Sequence, residues 1–100
     1  MDDNYAAQLQ IYSMEENSVT TAVCIVRCVG GIARTGQQFV SLPGVDGGGN
    51  HSRLTLDWIH RYERPVDFLE PPHSAKVHFS SREFIDLKKG VVITAVETED

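Results

Sequence analysis

The chain has 100 residues, a formal charge of −5 and 41% hydrophobic residues. Its length is that of one domain able to bury a core without disulfides or metals, and its make-up excludes the disulfide-rich and collagen-like classes. No stretch is apolar enough for a membrane span.

The charge is uneven. Asp2, Asp3, Glu15 and Glu16 stand near one end and Glu97, Glu99 and Asp100 at the other. The segment between them carries every Lys and Arg and is mildly basic. Such acidic ends read as solvated and mobile, around an ordered core of about residues 8–96 in a single domain spanning 1–100. The N-terminus opens on two acids, without the basic-then-apolar order of a secretory signal. A cytoplasmic protein with no membrane contact is expected.

In chain order, Gln8 to Glu15 alternates through Leu9 and Ile11 and predicts a first strand. A turn is expected over Glu16, Asn17 and Ser18. Val19 to Val29 is rich in β-branched residues and predicts the longest strand. Its even face is Ala22, Cys24, Val26 and Cys28; its odd face is interrupted by Arg27. The two cysteines lie four positions apart on one strand. Their Cα atoms are then about 13 Å apart at about 3.3 Å per residue, too far for a bridge. Both are expected as reduced core residues.

Gly30 and Gly31 break the chain, and Gly36 follows. Gln37 to Leu42 predicts a strand with Phe39 in the core. Pro43 to Asn50 is a glycine-rich loop. Arg53 to Tyr62 predicts another strand. Leu54, Leu56 and Trp58 alternate and place Trp58 inside, yet Ile59 is apolar too, which suggests a bulge or sharp twist. Pro65, Pro71 and Pro72 bar a central strand between 63 and 72 and leave a short edge piece and a turn. Ala75, Val77 and Phe79 face inward on the next strand, with Lys76 and His78 outward. One helical turn is expected over Ser80 to Leu87, capped by Ser81 and packing through Phe84, Ile85 and Leu87. Lys88-Lys89-Gly90 turns into a last strand, Val91 to Val96. Six or so short strands parted by turn signals predict an all-β barrel or sandwich, and the small even face of the second strand suits a tightly curved barrel wall.

The residues Ala22–Val40 (AVCIVRCVGGIARTGQQFV) resemble the opening of the β-barrel domain that follows the GTPase domain in elongation factor Tu and its relatives. The family pattern is a strand, x-G-x-I-x-x-G, and a second strand. Gly31, Ile32 and Gly36 are the residues that resemble it. LTLDWIHRY resembles the middle strand, and KVHFS with FIDLKKGVVI resembles the close, where Gly90 opens the last strand. The resemblance spans roughly Gln8 to Ala95. It implies an all-β, six-stranded, mainly antiparallel barrel of the translation-factor type, structural roles for Gly31, Gly36 and Gly90, and Ile32 as a plug at one end of the barrel. No G-x-x-x-x-G-K-[ST] loop is present, so no nucleotide is expected. In tRNA-carrying relatives a small-Gly turn preceded by an acid helps hold the aminoacyl end. Here Asp67 to Pro72 stands in that place, with Phe68 near the acid's position and Pro-Pro in the turn, so no functional residue carries over.

Chemistry-bearing clusters are sparse. His51, His60, His73 and His78 lack the convergent partners of a zinc site and read as surface histidines. Asp57, His60, Ser52 and Ser80 form no triad signature. No catalytic residue, metal ligand or cofactor is assigned, and an enzyme is not expected. Two surfaces remain as candidates. Arg53, Arg61, Tyr62 and Arg64 form the densest basic cluster, with Arg53, Asp57 and Arg61 on one strand face, and suit a weak RNA contact or a partner. Phe68 and Leu69, in the proline-punctuated segment, suit a protein contact. The expected function is a stand-alone, non-catalytic interaction module whose partner is a protein. The alternative is an RNA- or ribosome-associated accessory domain.

Overall fold

The computed structural model describes residues 6–41, 53–82, 85 and 87–96. The expected loop Pro43 to Asn50, together with His51, Ser52, Phe84, Asp2, Asp3, Glu97, Glu99 and Asp100, lies outside the described residues, whereas Glu15 and Glu16 belong to the first strand.

Among the described residues nine strands follow in chain order: β1 (Gln8–Asn17), β2 (Thr21–Gly30), β3 (Ala33–Arg34), β4 (Gln38–Ser41), β5 (Arg53–Arg61), β6 (Arg64–Val66), β7 (Phe68–Leu69), β8 (Ser74–Ser80) and β9 (Val92–Val96). The sheet runs β4-β9-β1-β2-β8-β5-β6, and a further β4–β5 pairing closes it. Six strands therefore form a closed barrel, every pair antiparallel, with β6 as a flap on β5. Closure leaves no free edge in the six-stranded ring. β3 and β7 form a separate two-stranded ribbon. No helix occurs among the described residues, so Ser81, Ile85 and Leu87 hold no helical turn. Ile85 and Leu87 still pack into the core.

Alternation fills the interior. From β2 come Ala22, Cys24, Val26 and Cys28; from β8, Ala75, Val77 and Phe79. Phe39 on β4 meets Phe79 edge to face, ring centroids 6.2 Å apart. Each large side chain so buried stabilises the fold by about 1.5–3 kcal/mol. Among the described residues the core holds no buried polar or charged residue.

Cys24 and Cys28 are free and buried. Burial, with Glu15 nearby, pushes the Cys24 thiol up to about 11. Burial also raises Cys28, against an opposing pull from backbone hydrogen bonds. Both thiols pack as small apolar groups.

The connection from Gly31 to Gly36 differs from expectation at its isoleucine: counted between these glycines, the isoleucine position of x-G-x-I-x-x-G is held by Ala33, and Ile32 stands one residue early. Ile32 is 41% exposed and plugs nothing. Its neighbour Ala33 is the buried residue, paired with Leu69 across the ribbon. Gly31 has φ +61, and a Cβ there would lie 2.7 Å from the Ala6 carbonyl oxygen and from the Ala7 backbone. The chain end crosses directly over it, so no side chain fits. Gly36 has φ +91 and open space, so its requirement is conformational alone. Its N–H donates to Leu56 O at 2.7 Å, tying the connection to β5.

Candidate functional site: the outer face of β2, β8 and β5

An interior closed by apolar side chains leaves the outer wall to carry any recognition chemistry. On that wall the decisive feature is a break in β5. Leu56 pairs with Phe79, but the next pairs are Trp58 with His78 and Ile59 with Val77. Asp57 is the extra residue of a β-bulge. The alternation that buries Leu54 and Leu56 therefore changes phase. Ile59 turns inward and is fully buried, whereas Trp58 turns outward and is partly exposed. The sequence expectation of a bulge is met; the placement of Trp58 in the core is overturned by it.

Register then lays out rows across three strands. Val23, His78 and Trp58 form one; Ile25, Lys76 and His60 form the next. The Trp58 ring stacks on His60 at 4.2 Å and on His78 at 5.5 Å, centroid to centroid, and is held between the two imidazoles. His78 is fixed in turn: its Nδ1–H donates to Asp57 Oδ2 at 2.8 Å. Ser80 Oγ–H donates to the other carboxylate oxygen at 3.2 Å. Both hydroxyl and imidazole thus point at Asp57. Ser80 makes no bond to the histidine that would activate it, so the group is a brace for the Trp58 stack and lacks the order of a nucleophilic triad. Of the residues considered beside Asp57 in sequence, Ser80 does meet it, but the imidazole that bonds it is His78 and not His60, and Ser52 lies outside the described residues. Among the described residues no three His, Cys, Asp or Glu side chains converge in a way that holds a metal ion.

Beyond His60 the strand ends in a two-residue turn, Tyr62-Glu63, between paired Arg61 and Arg64. Tyr62 has φ 53 and Glu63 φ 65. Two successive left-handed residues are what a type I′ hairpin requires, and Asn-Gly is its usual sequence. Tyr-Glu gives no such signal, which is why the sequence read as continuous strand through Tyr62. The Tyr62 ring is 87% exposed, and the Arg61 guanidinium lies 5.4 Å from its centroid. Between this turn and the start of β8 opens a cavity of about 600 Å³. His60, Arg61, Tyr62, Glu63 and Lys76 line it, over an Ile25 floor.

The structure separates the expected basic cluster. Arg53 begins β5 and Arg61 ends it, eight steps or about 26 Å apart in an extended strand. Arg53 donates to Gln38 Oε1 at 3.0 Å, far from the cavity. The bulge also breaks the single face expected for Arg53, Asp57 and Arg61. Arg61, Tyr62 and Arg64 stay together at the hairpin. Lys76 and Trp58 join the face, which sequence reasoning had not assembled. The outward phase of Lys76 and His78 on β8 was a signal for it; the bulge hid the β5 half. The second candidate patch also divides. Leu69 is 1% exposed, because it opposes Ala33 on the inward side of the ribbon, while Phe68 opposes Arg34 and is 46% exposed. Leu69 is core and only Phe68 offers surface.

No protein-family model matches this sequence, and no curated protein matches it. Its fold is similar to that of part of a solved structure, GDP-bound aIF5B from Aeropyrum pernix. The TM-score is 0.74 at 16% identity, over 92% of this chain and 15% of that chain. The chain therefore spans about one seventh of that structure's length, and the likeness is one of fold: a closed, translation-factor-like barrel. No helix among the described residues is long and apolar enough to cross a membrane.

Proposed function

We propose that this chain is a non-catalytic interaction module, a translation-factor-like barrel whose outer β2–β8–β5 face docks a protein partner. The observation that carries the reading is the partly exposed Trp58, held between His60 and His78 and braced through Asp57. Tryptophan is among the residues enriched at interface hot spots, where a rigid ring gives contact area at small entropic cost. A barrel interior filled by its own side chains leaves such a face as the functional part of the surface.

A photo-crosslinking amino acid placed at His78, and separately at Val92 on β9, tests this in cells. Discrete protein adducts from position 78 and none from 92 are expected. Equal adducts from both, or none from either, would overturn it.

A second reading, an RNA- or ribosome-associated accessory domain, draws on the Arg61–Tyr62 contact. An exposed ring beside a cation is a platform for an unstacked base. Arg61, Arg64 and Lys76 would then contact phosphates. Affinity for single-stranded RNA would fall as roughly the second power of salt concentration for about three contacts. With net charge −5 and Glu63 in the turn, absence of RNA binding at low salt is the expected result.

A further inference from the structure

Building on the protein-docking reading, we propose that the cavity beside the Tyr62-Glu63 turn seats an acidic segment of the partner: an extended peptide with Asp or Glu side chains around at least one apolar side chain.

The chemistry of the lining sets that choice. Arg61 and Lys76 are its fixed cations, and Glu63 is the one acid among its described lining residues. Lys76 is exposed and, among the described residues, has neither a hydrogen bond nor an ion pair. Arg61 touches the Tyr62 ring and, among the described residues, no carboxylate. Among the described residues these charges are uncompensated, and an incoming carboxylate supplies what they lack. Below them, Ile25 and the Tyr62 ring give an apolar floor and wall. A ligand of charge alone would waste that surface; a mixed acidic and apolar segment uses both. The 600 Å³ volume falls in the range of real ligand sites.

The site is also preformed. Lys76 is locked in register between Ile25 of β2 and His60 of β5. Tyr62 and Glu63 are held in left-handed conformations that L-residues seldom adopt. Rigid walls reduce the ordering cost of binding. Glu63 on the rim disfavours a continuous run of phosphates, whereas a peptide spaces its carboxylates with neutral residues. The cavity is linked to the Trp58 stack because His60 belongs to both.

The purified chain is titrated with three fluorescein-labelled probes: an eight-residue peptide rich in Asp and Glu with one Leu, its counterpart with Lys at every acidic position, and an eight-nucleotide oligouridine. The acidic peptide is expected to bind, to perturb the emission of Trp58, and to weaken about tenfold in Lys76→Glu. Arg61→Glu should act in the same direction. Arg53→Glu, at the far end of β5, should bind as wild type, with circular dichroism showing each variant folded. Binding that ignores the sign of the peptide, binding unchanged in a folded Lys76→Glu protein, or binding of the oligouridine alone would overturn the acidic-segment assignment. If position 78 still crosslinks a protein in those cases, the docking face stands and only its ligand chemistry falls. Loss of both would overturn both.

Discussion

β2 and β5 have nearly the same length and both wall the barrel, yet they present their side chains differently. β2 keeps one phase from Ala22 to Cys28, with every even residue buried. β5 keeps its phase only to Leu56, then reverses at Asp57. The uninterrupted strand yields mostly core: its inward residues are small and apolar, including two cysteines that pack as such, and its outer side gives the site Ile25. The interrupted strand yields a site. The bulge turns a tryptophan outward and replaces it inside with an isoleucine, so the core stays filled while an aromatic ring reaches the surface.

The largest test of that contrast sits at the bulge. Ile59→Ala should cost about 2–5 kcal/mol in denaturant unfolding, as for a fully buried aliphatic side chain. Trp58→Ala should cost clearly less than the roughly 3–5 kcal/mol of a buried aromatic. The reverse order would mean that β5 keeps the phase of β2 throughout.

The glycines that flank the two strands give the next comparison. Gly31, just past β2, meets backbone atoms at 2.7 Å, whereas Gly36, bonded to β5, meets nothing. Gly31→Ala should lower stability by about 2–3 kcal/mol, through steric displacement on top of a strained φ. Gly36→Ala should cost about 1–2 kcal/mol, the left-handed penalty alone. Equal melting temperatures for the two variants would count against the close crossing at Ala6 and Ala7.

A smaller effect is expected from the brace. Asp57→Ala removes the acceptor of two hydrogen bonds and should cost about 1–2 kcal/mol. The emission spectrum of Trp58, the single tryptophan of the chain, should change as His78 is released. An unaltered spectrum would show that Asp57 does not position the stack.

The last effect belongs to β2 and appears only at high pH. The Cys24 thiol lies at about 11 in the folded protein against its ordinary 9.0. The folded state therefore holds this proton more tightly than the unfolded one. The stability so gained is complete below about pH 9 and is lost as pH rises towards about 11. Melting curves of wild type and Cys24→Ala should draw closer over that interval. Parallel pH profiles would mean the thiol is not desolvated.

How far each part could be read follows from the same contrast. The β2 face, the inward triplet Ala75, Val77 and Phe79, and Phe39 were all legible, because unbroken alternation allows one burial pattern only. The exposed half of the candidate site was less so. Leu54, Leu56 and Trp58 alternate as well as any core strand, and the adjacent Ile59 signalled a disturbance without saying which residue would win the interior. Tyr62-Glu63 gave no hairpin signal, since neither residue favours a positive φ. Arg53 and Arg61 looked like one cluster because proximity in sequence was taken for proximity on a surface.

By itself, then, the sequence determined the all-β class, the closed antiparallel barrel, most of its core and the unpaired state of its cysteines. These follow from side-chain period and chain geometry, which are local. Tertiary structure alone decided that Trp58 faces out, that Leu69 faces in, that Ile32 plugs nothing, and that Lys76 and His78 stand beside His60 and Trp58. Each of those depends on which residue of a neighbouring strand sits opposite. A single inserted residue such as Asp57 shifts that pairing, and with it the face to which every later side chain belongs.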